Sequence, residues 1–218
     1  MSLNEPLKTI IRSFTAVDRS ALRKICADTA FMGEPVERFL ASRELFADWA
    51  TFFYTEYEPE SIFLAEHNGK VIGYIMGCRD ERRYYAIFWQ KVIPRLLRRS
   101  LPFLWAGYGE RVFLYNLLKS FLRGEFKRPD FSKSYPAHLH INIDNNFRGM
   151  GIGSLLMNRF LEYLSACHIH AVRLATMSKK AYHFFEASGF IRLYLKRVTY
   201  FDYLLNGPLD MRIYGKRL

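Results

Sequence analysis

Along the chain, apolar and polar positions fall into short alternating runs and longer runs of helical spacing, which predicts strands and helices in mixed order. Thr9 to Phe14 is β-branched and apolar, a first strand. Thr15-Ala16-Val17-Asp18 reads as a capping box, in which the Thr hydroxyl accepts from the third helical N–H and the Asp carboxylate reaches back. Leu22, Ile25 and Cys26 follow at helical spacing. A second helix is expected from near Pro35, with Leu45, Phe46, Trp49, Phe52 and Phe53 on its apolar face and Pro59 at its end. Ser61 to His67 and Lys70 to Cys78 flank Asn68-Gly69, a pair suited to a type I′ turn because both residues tolerate positive φ. That is a β-hairpin.

From 79 to about 134 the pattern changes. Tyr84, Tyr85, Phe88, Trp89, Ile93, Leu96, Leu97, Leu101, Phe103, Leu104 and Trp105 are interleaved with Arg and Lys, and Pro94, Pro102, Gly107 and Gly109 break the run into short helices. It is too apolar to be a linker and reads as an insertion within a single domain spanning 1–218. Ala137 to Ile143 then alternates as a strand, with His138, His140 and Asn142 on one face and Leu139, Ile141 and Ile143 on the other. Leu155, Leu156, Phe160, Leu161 and Leu164 mark a helix, Ala171 to Thr176 a strand, and Ser178 to Ser188 a helix stopped by Gly189. Phe190 to Leu195 and Leu209 to Tyr214 are the last strands expected. The order is α/β of the α+β kind, and no repeat is visible.

Half of the 218 residues are hydrophobic and 17% aromatic, enough for a packed core, so global disorder is excluded. Cys26, Cys78 and Cys167 form no CxxC pair, which supports neither a disulfide framework nor a cysteine zinc site and fits a reducing cytoplasm. Met1 to Lys8 lacks a basic-then-apolar signal pattern, and no apolar run has the length of a membrane-spanning helix. The net charge of +11 changes the picture more, because it predicts attraction to anions: CoA, phospholipid surfaces and nucleic acid.

Between the strand at 137–143 and the next helix lies Arg148-Gly149-Met150-Gly151-Ile152-Gly153-Ser154. N–H groups at a helix start have no intrahelical acceptor, and the helix dipole adds partial positive charge there. Glycines let an anion approach that backbone, so the segment suits a pyrophosphate. The same glycines also suit a tight strand–helix turn, and the Lys-Ser/Thr ending of a P-loop is absent. Arg148-x-x-Gly151-x-Gly153 resembles the pyrophosphate signature of the GNAT superfamily of acyl-CoA-dependent N-acyltransferases. Ala181 to Phe190, a helix ending in Gly189-Phe190, resembles that superfamily's second signature. Pro136 to Ile143 and Asp28-Thr29 look like a bacterial subgroup related to the acetyltransferase-like domain of O-GlcNAcase.

The resemblance implies a mixed, mostly antiparallel sheet flanked by helices. It also implies acetyl-CoA as co-substrate, and transfer of its acyl group to a primary amine by direct attack in a ternary complex. It implies that Ile141, Asn142 and Ile143 pair with the pantetheine arm, that Arg148 to Ser154 hold the pyrophosphate, and that Ser178, Ala181, Phe184 and Phe185 line the other side. Tyr is frequent in the superfamily where Phe185 stands, to protonate the departing thiolate, and Phe cannot do so; Tyr182 or solvent would substitute. His138 and His140, whose ordinary pKa lies near neutrality, are candidates for the general base, as are Asp28 and Glu34. The histidines also read as a strand face whose rings bond neighbours. No third ligand accompanies His-x-His, so no metal site is expected.

Arg79 to Arg128 holds twelve Lys and Arg against Asp80, Glu81, Glu110 and Glu125. This segment reads either as a basic amphipathic element on a membrane or acidic partner, or as a lid packed on the sheet or across a homodimer interface. The lid fits better. Nothing resembles a sequence-specific nucleic-acid motif. The missing Tyr keeps one alternative to an acetyltransferase: a catalytically silent acyl-CoA-binding module.

Overall fold

Strand propensity and the turn at Asn68-Gly69 set the first half of the sheet. In the computed structural model, which describes residues 9–100, 108–205 and 207–218, Asn68 and Gly69 have φ of 52° and 75°, as a type I′ turn requires. They join β2 (Ile62–His67) to β3 (Lys70–Cys78), with His67 opposite Lys70. The remaining strands are β1 (Thr9–Ser13), β4 (Ala137–Ile143), β5 (Ala171–Thr176), β6 (Ile191–Val198) and β7 (Leu209–Arg217). They form one sheet in the order β1-β2-β3-β4-β5-β7-β6. Every neighbouring pair is antiparallel except β4 and β5. This is the mixed, mostly antiparallel sheet expected.

Helices cover both faces. Against one lie α1 (Arg19–Asp28) and α2 (Arg43–Tyr57), burying Leu22, Ile25 and Tyr54 on Leu64, Tyr74 and Met76. Against the other lie α6 (Ile152–Ala166) and α7 (Lys179–Ala187), where Leu156, Phe160 and Leu164 meet Phe63, Ile75 and Leu139. Gly77 has no side chain because a methyl there would overlap the His138 carbonyl oxygen and the Phe160 ring. Asp18 reaches back to the Thr15 N–H at 2.8 Å, as expected, and is further clamped by Arg12.

Several boundaries moved. The second helix starts at Arg43, not near Pro35, because the Ser42 hydroxyl caps it by accepting the Leu45 N–H at 3.3 Å. Its buried face carries Asp48, Thr51 and Tyr54 beside Phe53, whereas Trp49 is exposed. A short helix missed by periodicity, α8 (Asp202–Leu205), follows β6.

The insertion folds as α3 (Glu81–Ile87), a wider π-type turn at Phe88–Val92, α4 (Ile93–Ser100) and α5 (Tyr108–Leu122). Pro94 does not break α4 but sits in its first turn, where its missing N–H costs nothing. Leu101 to Gly107, like Met1 to Lys8, lie outside the described residues. Part of the insertion's positive charge is neutralised internally. Asp48, 2% exposed, receives Arg23 from α1 at 2.6 Å and Arg99 and Arg95 from α4 at 2.6 and 3.4 Å. Arg79 spans Glu58 and Glu60. Among the described residues, no helix is long and apolar enough to cross a membrane.

Asp48 therefore holds the insertion to α1 and α2. Asp48→Asn leaves three guanidinium groups facing one neutral amide. It should cost about 2 kcal/mol, below the range for fully buried pairs because Arg95 and Arg99 can turn to water. Urea denaturation checks this, and an unchanged midpoint would show that the cluster contributes nothing.

Candidate active site

β4 and β5 pair only at Ala137↔Val172 and His138↔Arg173. Beyond these two positions the strands diverge, and β4 keeps an edge facing the gap. Which backbone groups point there follows from alternation along the strand. The Asp144 N–H bonds the Ile72 carbonyl of β3, so the even-numbered residues of β4 turn toward β3. The odd-numbered ones, Ile141 and Ile143, turn their N–H groups to the gap. The Ile143 carbonyl on that side accepts the Arg148 Nε at 3.1 Å.

The gap leads directly into the glycine turn. The Asp144 carboxylate accepts the Asn146 N–H at 3.0 Å and shapes the chain leaving β4. Gly149 and Gly151 have φ of 78° and 76°, and a methyl at either would meet nothing within 4 Å, so both are glycine for backbone conformation beside open space. The α6 ladder begins with the Ser154 and Leu155 N–H groups, both on the Gly151 carbonyl. The N–H groups just before them are the ones a helix start leaves unused. Gly153 differs from the other two glycines. A methyl there would lie 3.1 Å from the Phe184 ring and 3.5 Å from Ile143, so this glycine serves close packing of α6, α7 and β4. Ile152 is buried in the core and contributes only backbone; Met150 and Ser154 are exposed at the rim. The Arg148 guanidinium lies against Gly33, whose carbonyl accepts from Asn145 at 2.9 Å.

On α7, Ala181 and Phe184 are half-buried, and Ser178 stands at the N-terminal cap. Two expectations for this helix fail. Phe185 is not on the gap side; it packs in the core with Phe190 and Tyr214. Tyr182 is buried too. Its hydroxyl donates to the Asp210 carbonyl at 2.9 Å, the Arg212 guanidinium covers its ring at 3.7 Å, and burial raises its pKa. A phenol bound in this way does not face the gap. The helical period explains both: 182 and 185 share one face, 178, 181 and 184 the next.

The two histidines separate. His138 is buried, its Nε2 2.6 Å from the Tyr54 hydroxyl and its Nδ1 3.1 Å from Cys78 Sγ, beneath the Tyr84 ring. Burial, with lesser contributions from His140 and Arg128, holds its pKa well below 6.5. His140, two residues past the last β4–β5 pair, is exposed, with its ring beside Tyr54 and His138. The surrounding protein still pushes its pKa down to about 4. Asn142 completes this face and donates to the Tyr74 hydroxyl at 2.8 Å.

Asp28 takes another part. It is ion-paired with Lys24 and Arg43 at 2.5 Å each. Partial burial would raise its pKa, yet those two cations lower it, which leaves a poor proton acceptor. It lines a cavity of about 310 Å³ with Lys24, Thr29, Pro35 and Asp144 to Asn146, beside the cradle. Glu34 pairs with Arg38 at the surface.

Sequence reasoning missed two supports of this site. Arg173 of β5 forms a buried ion pair with Glu81 at the start of α3, directly beside the last strand pair. Phe31 and Phe39 of the α1–α2 connection meet Phe201 at 4.9 and 5.2 Å and so join the two arms of the divided sheet. Phe113 of α5 stacks on Phe201. The capping residue Asp80 could have announced α3, but no local pattern pairs residues 92 positions apart.

A mixed sheet that divides between two parallel strands, with a glycine turn and helix start at the mouth of the division, is the GNAT fold. The model of the acetyltransferase (GNAT) family matches residues 118–190. Among solved structures, SsHAT is similar with a TM-score of 0.75 and 25% identity over 96% of this chain and 98% of that one. The Drosophila melanogaster polyamine N-acetyltransferase has a TM-score of 0.62 and 16% identity over 97% and 100%. The protein yncA of Salmonella typhimurium, solved with its cofactor acetyl-CoA, has 0.54 and 14% over 96% and 94%. Residues 118–190 are thus similar in sequence to the GNAT acetyltransferase family, and the chain has the fold of GNAT acetyltransferases.

Imidazoles held neutral by the fold have a consequence for stability. The unfolded chain binds protons below pH 6.5 that folded His138 and His140 refuse, so stability is full above about 6.5 and falls as pH drops toward about 4. The paired carboxylates of Asp18 and Asp28 titrate lower and add their loss later. Tm should therefore fall between about pH 7 and about pH 5, with His138→Gln weakening the dependence; a flat profile would contradict it.

Proposed function

We propose that the chain is an acetyl-CoA-dependent N-acetyltransferase acting on a primary amine. The observation that carries this reading is the unpaired β4 edge at Ile141 and Ile143, which runs from the strand division into the open turn at Gly149 and Gly151. An extended pantetheine arm fits such an edge as a further strand, and a pyrophosphate fits the N–H groups that open α6. The residues present fit acetyl-CoA, which supplies the thioester carbonyl.

Each remaining role falls to a side chain or backbone group at the division. The Ile141 N–H is the donor for negative charge developing on the thioester oxygen. Phe184, Gly153 and Ile143 form the apolar wall that positions the arm. His140, the exposed imidazole at the division, takes the proton that the attacking nitrogen loses as its bond to the acyl carbon forms and the carbon–sulfur bond breaks. His138, fixed between Tyr54 and Cys78, positions His140 by packing and does not exchange protons with substrate. The departing thiolate takes its proton from water, since Tyr182 is tied to Asp210 and Phe185 has no proton to give.

The test is thiol release from acetyl-CoA across a panel of amines. Agmatine, polyamines and peptide N-termini belong in it, because neighbouring folds are named for acting on agmatine, polyamines and a protein alanine. At least one amine should accelerate release. Tight acetyl-CoA binding with no acceleration by any amine would sink the enzyme reading and leave an acyl-CoA-binding module.

With an acceptor in hand, His140→Ala should lower kcat by on the order of a hundredfold to ten-thousandfold while acetyl-CoA affinity changes little. Tyr182→Phe should leave kcat within about threefold, well short of the loss that follows removal of a proton donor. A large kcat loss in Tyr182→Phe, with the fold intact by circular dichroism, would restore Tyr182 as the acid.

A further inference from the structure

The insertion was read from sequence as a lid, and α5 meets that description on one side only. Its inner face, Val112, Phe113, Asn116, Leu117 and Ser120, is half-buried or buried. Phe113 joins the aromatic cluster at Phe201, and Ser120 lies 3.4 Å from the Thr199 hydroxyl. Just beyond the helix, Lys196 of β6 donates to the Gly124 and Lys127 carbonyls at 2.8 and 2.9 Å, and the Glu125 carboxylate accepts the Thr199 N–H at 2.8 Å. The helix is thus held at both ends, by the α1–α2 connection through Phe39 and by β6.

Its outer face inverts the usual order of a surface helix. Leu114, Tyr115, Leu118, Phe121 and Leu122 are 53%, 64%, 58%, 65% and 77% exposed. At spacings of one, three, three and one they make one continuous stripe along the helix. A single exposed leucine needs no explanation; a stripe of five large apolar side chains does. Exposed basic residues on and beside it are Arg111, Lys119 and Lys127, while Arg123 reaches the Thr199 hydroxyl on the inner side.

We propose that this outer face of α5 docks on an anionic lipid surface. The charge decides the occupant. A chain of net charge +11 that pairs this stripe with its own copy brings two basic rims together, whereas anionic headgroups neutralise them. An apolar stripe rimmed by Lys and Arg is what an interfacial helix presents, the side chains entering the acyl boundary and the cations meeting phosphates. The anchoring at Phe113, Lys196 and Glu125 lets the helix bind without leaving the sheet. Docking there sets the strap across the divided sheet against the bilayer. It stands independently of the acyl-transfer reading.

The experiment is co-sedimentation of the full chain with phosphatidylcholine vesicles and with vesicles also containing phosphatidylglycerol. Binding to the anionic vesicles at low salt, lost at high salt and absent on phosphatidylcholine alone, is expected. The variant Leu114→Ser/Leu118→Ser/Leu122→Ser, at exposed positions that leave the fold intact, should weaken it at least about tenfold. Lys119→Glu/Lys127→Glu should do the same through charge. Equal binding by wild type and both variants would overturn the proposal. So would absence of vesicle binding together with a wild-type dimer, by light scattering, that becomes monomeric in the serine variant, since the stripe would then belong to a second copy.

Discussion

Two residue pairs between β4 and β5 govern what this molecule can do. Strands running parallel would ordinarily zip along their full length, and the backbone groups of Ile141 and Ile143 would then be spent inside the sheet. Here pairing stops after His138↔Arg173, and the Glu81–Arg173 ion pair sits directly beside that last pair. A buried pair of this kind is costly to form and more costly to break, because removing one partner strands a charge. It ties the start of the insertion to the point where the sheet divides. The open edge, the glycine turn at its mouth and the exposure of His140 beside the buried His138 all accompany that division.

The site is assembled from groups whose neighbours have already committed them. His138 is held by Tyr54 and Cys78, Tyr182 by Asp210 and Arg212, Asp28 by Lys24 and Arg43. Each is a chemically capable side chain that its surroundings use for structure. The groups left to act are backbone N–H donors and one accessible imidazole. Under the proposed function, such a site would act through placement more than through a strongly perturbed nucleophile. The insertion supplies the complementary half. Arg79, Arg83, Arg95 and Arg99 pair with Asp48, Glu58 and Glu60, and its aromatic Phe113 closes the two arms of the sheet together.

The sequence by itself determined the features whose causes are local. Asn68-Gly69 set the hairpin because their positive φ leaves few other turns open. Alternation set β4 and its two faces, and the glycines between 149 and 153 set a turn that admits an anion. Only the tertiary structure decided which side chains keep their chemistry. A one-residue rotation around α7 separates Phe184 on the gap from Phe185 in the core. Two residues along β4 separate a sealed histidine from an open one, and Glu81 finds Arg173 across the whole length of the insertion. Residue type and spacing fix which face a side chain takes. Whether that face meets solvent, ligand or another ring depends on partners brought together from distant parts of the chain, and no local pattern encodes them.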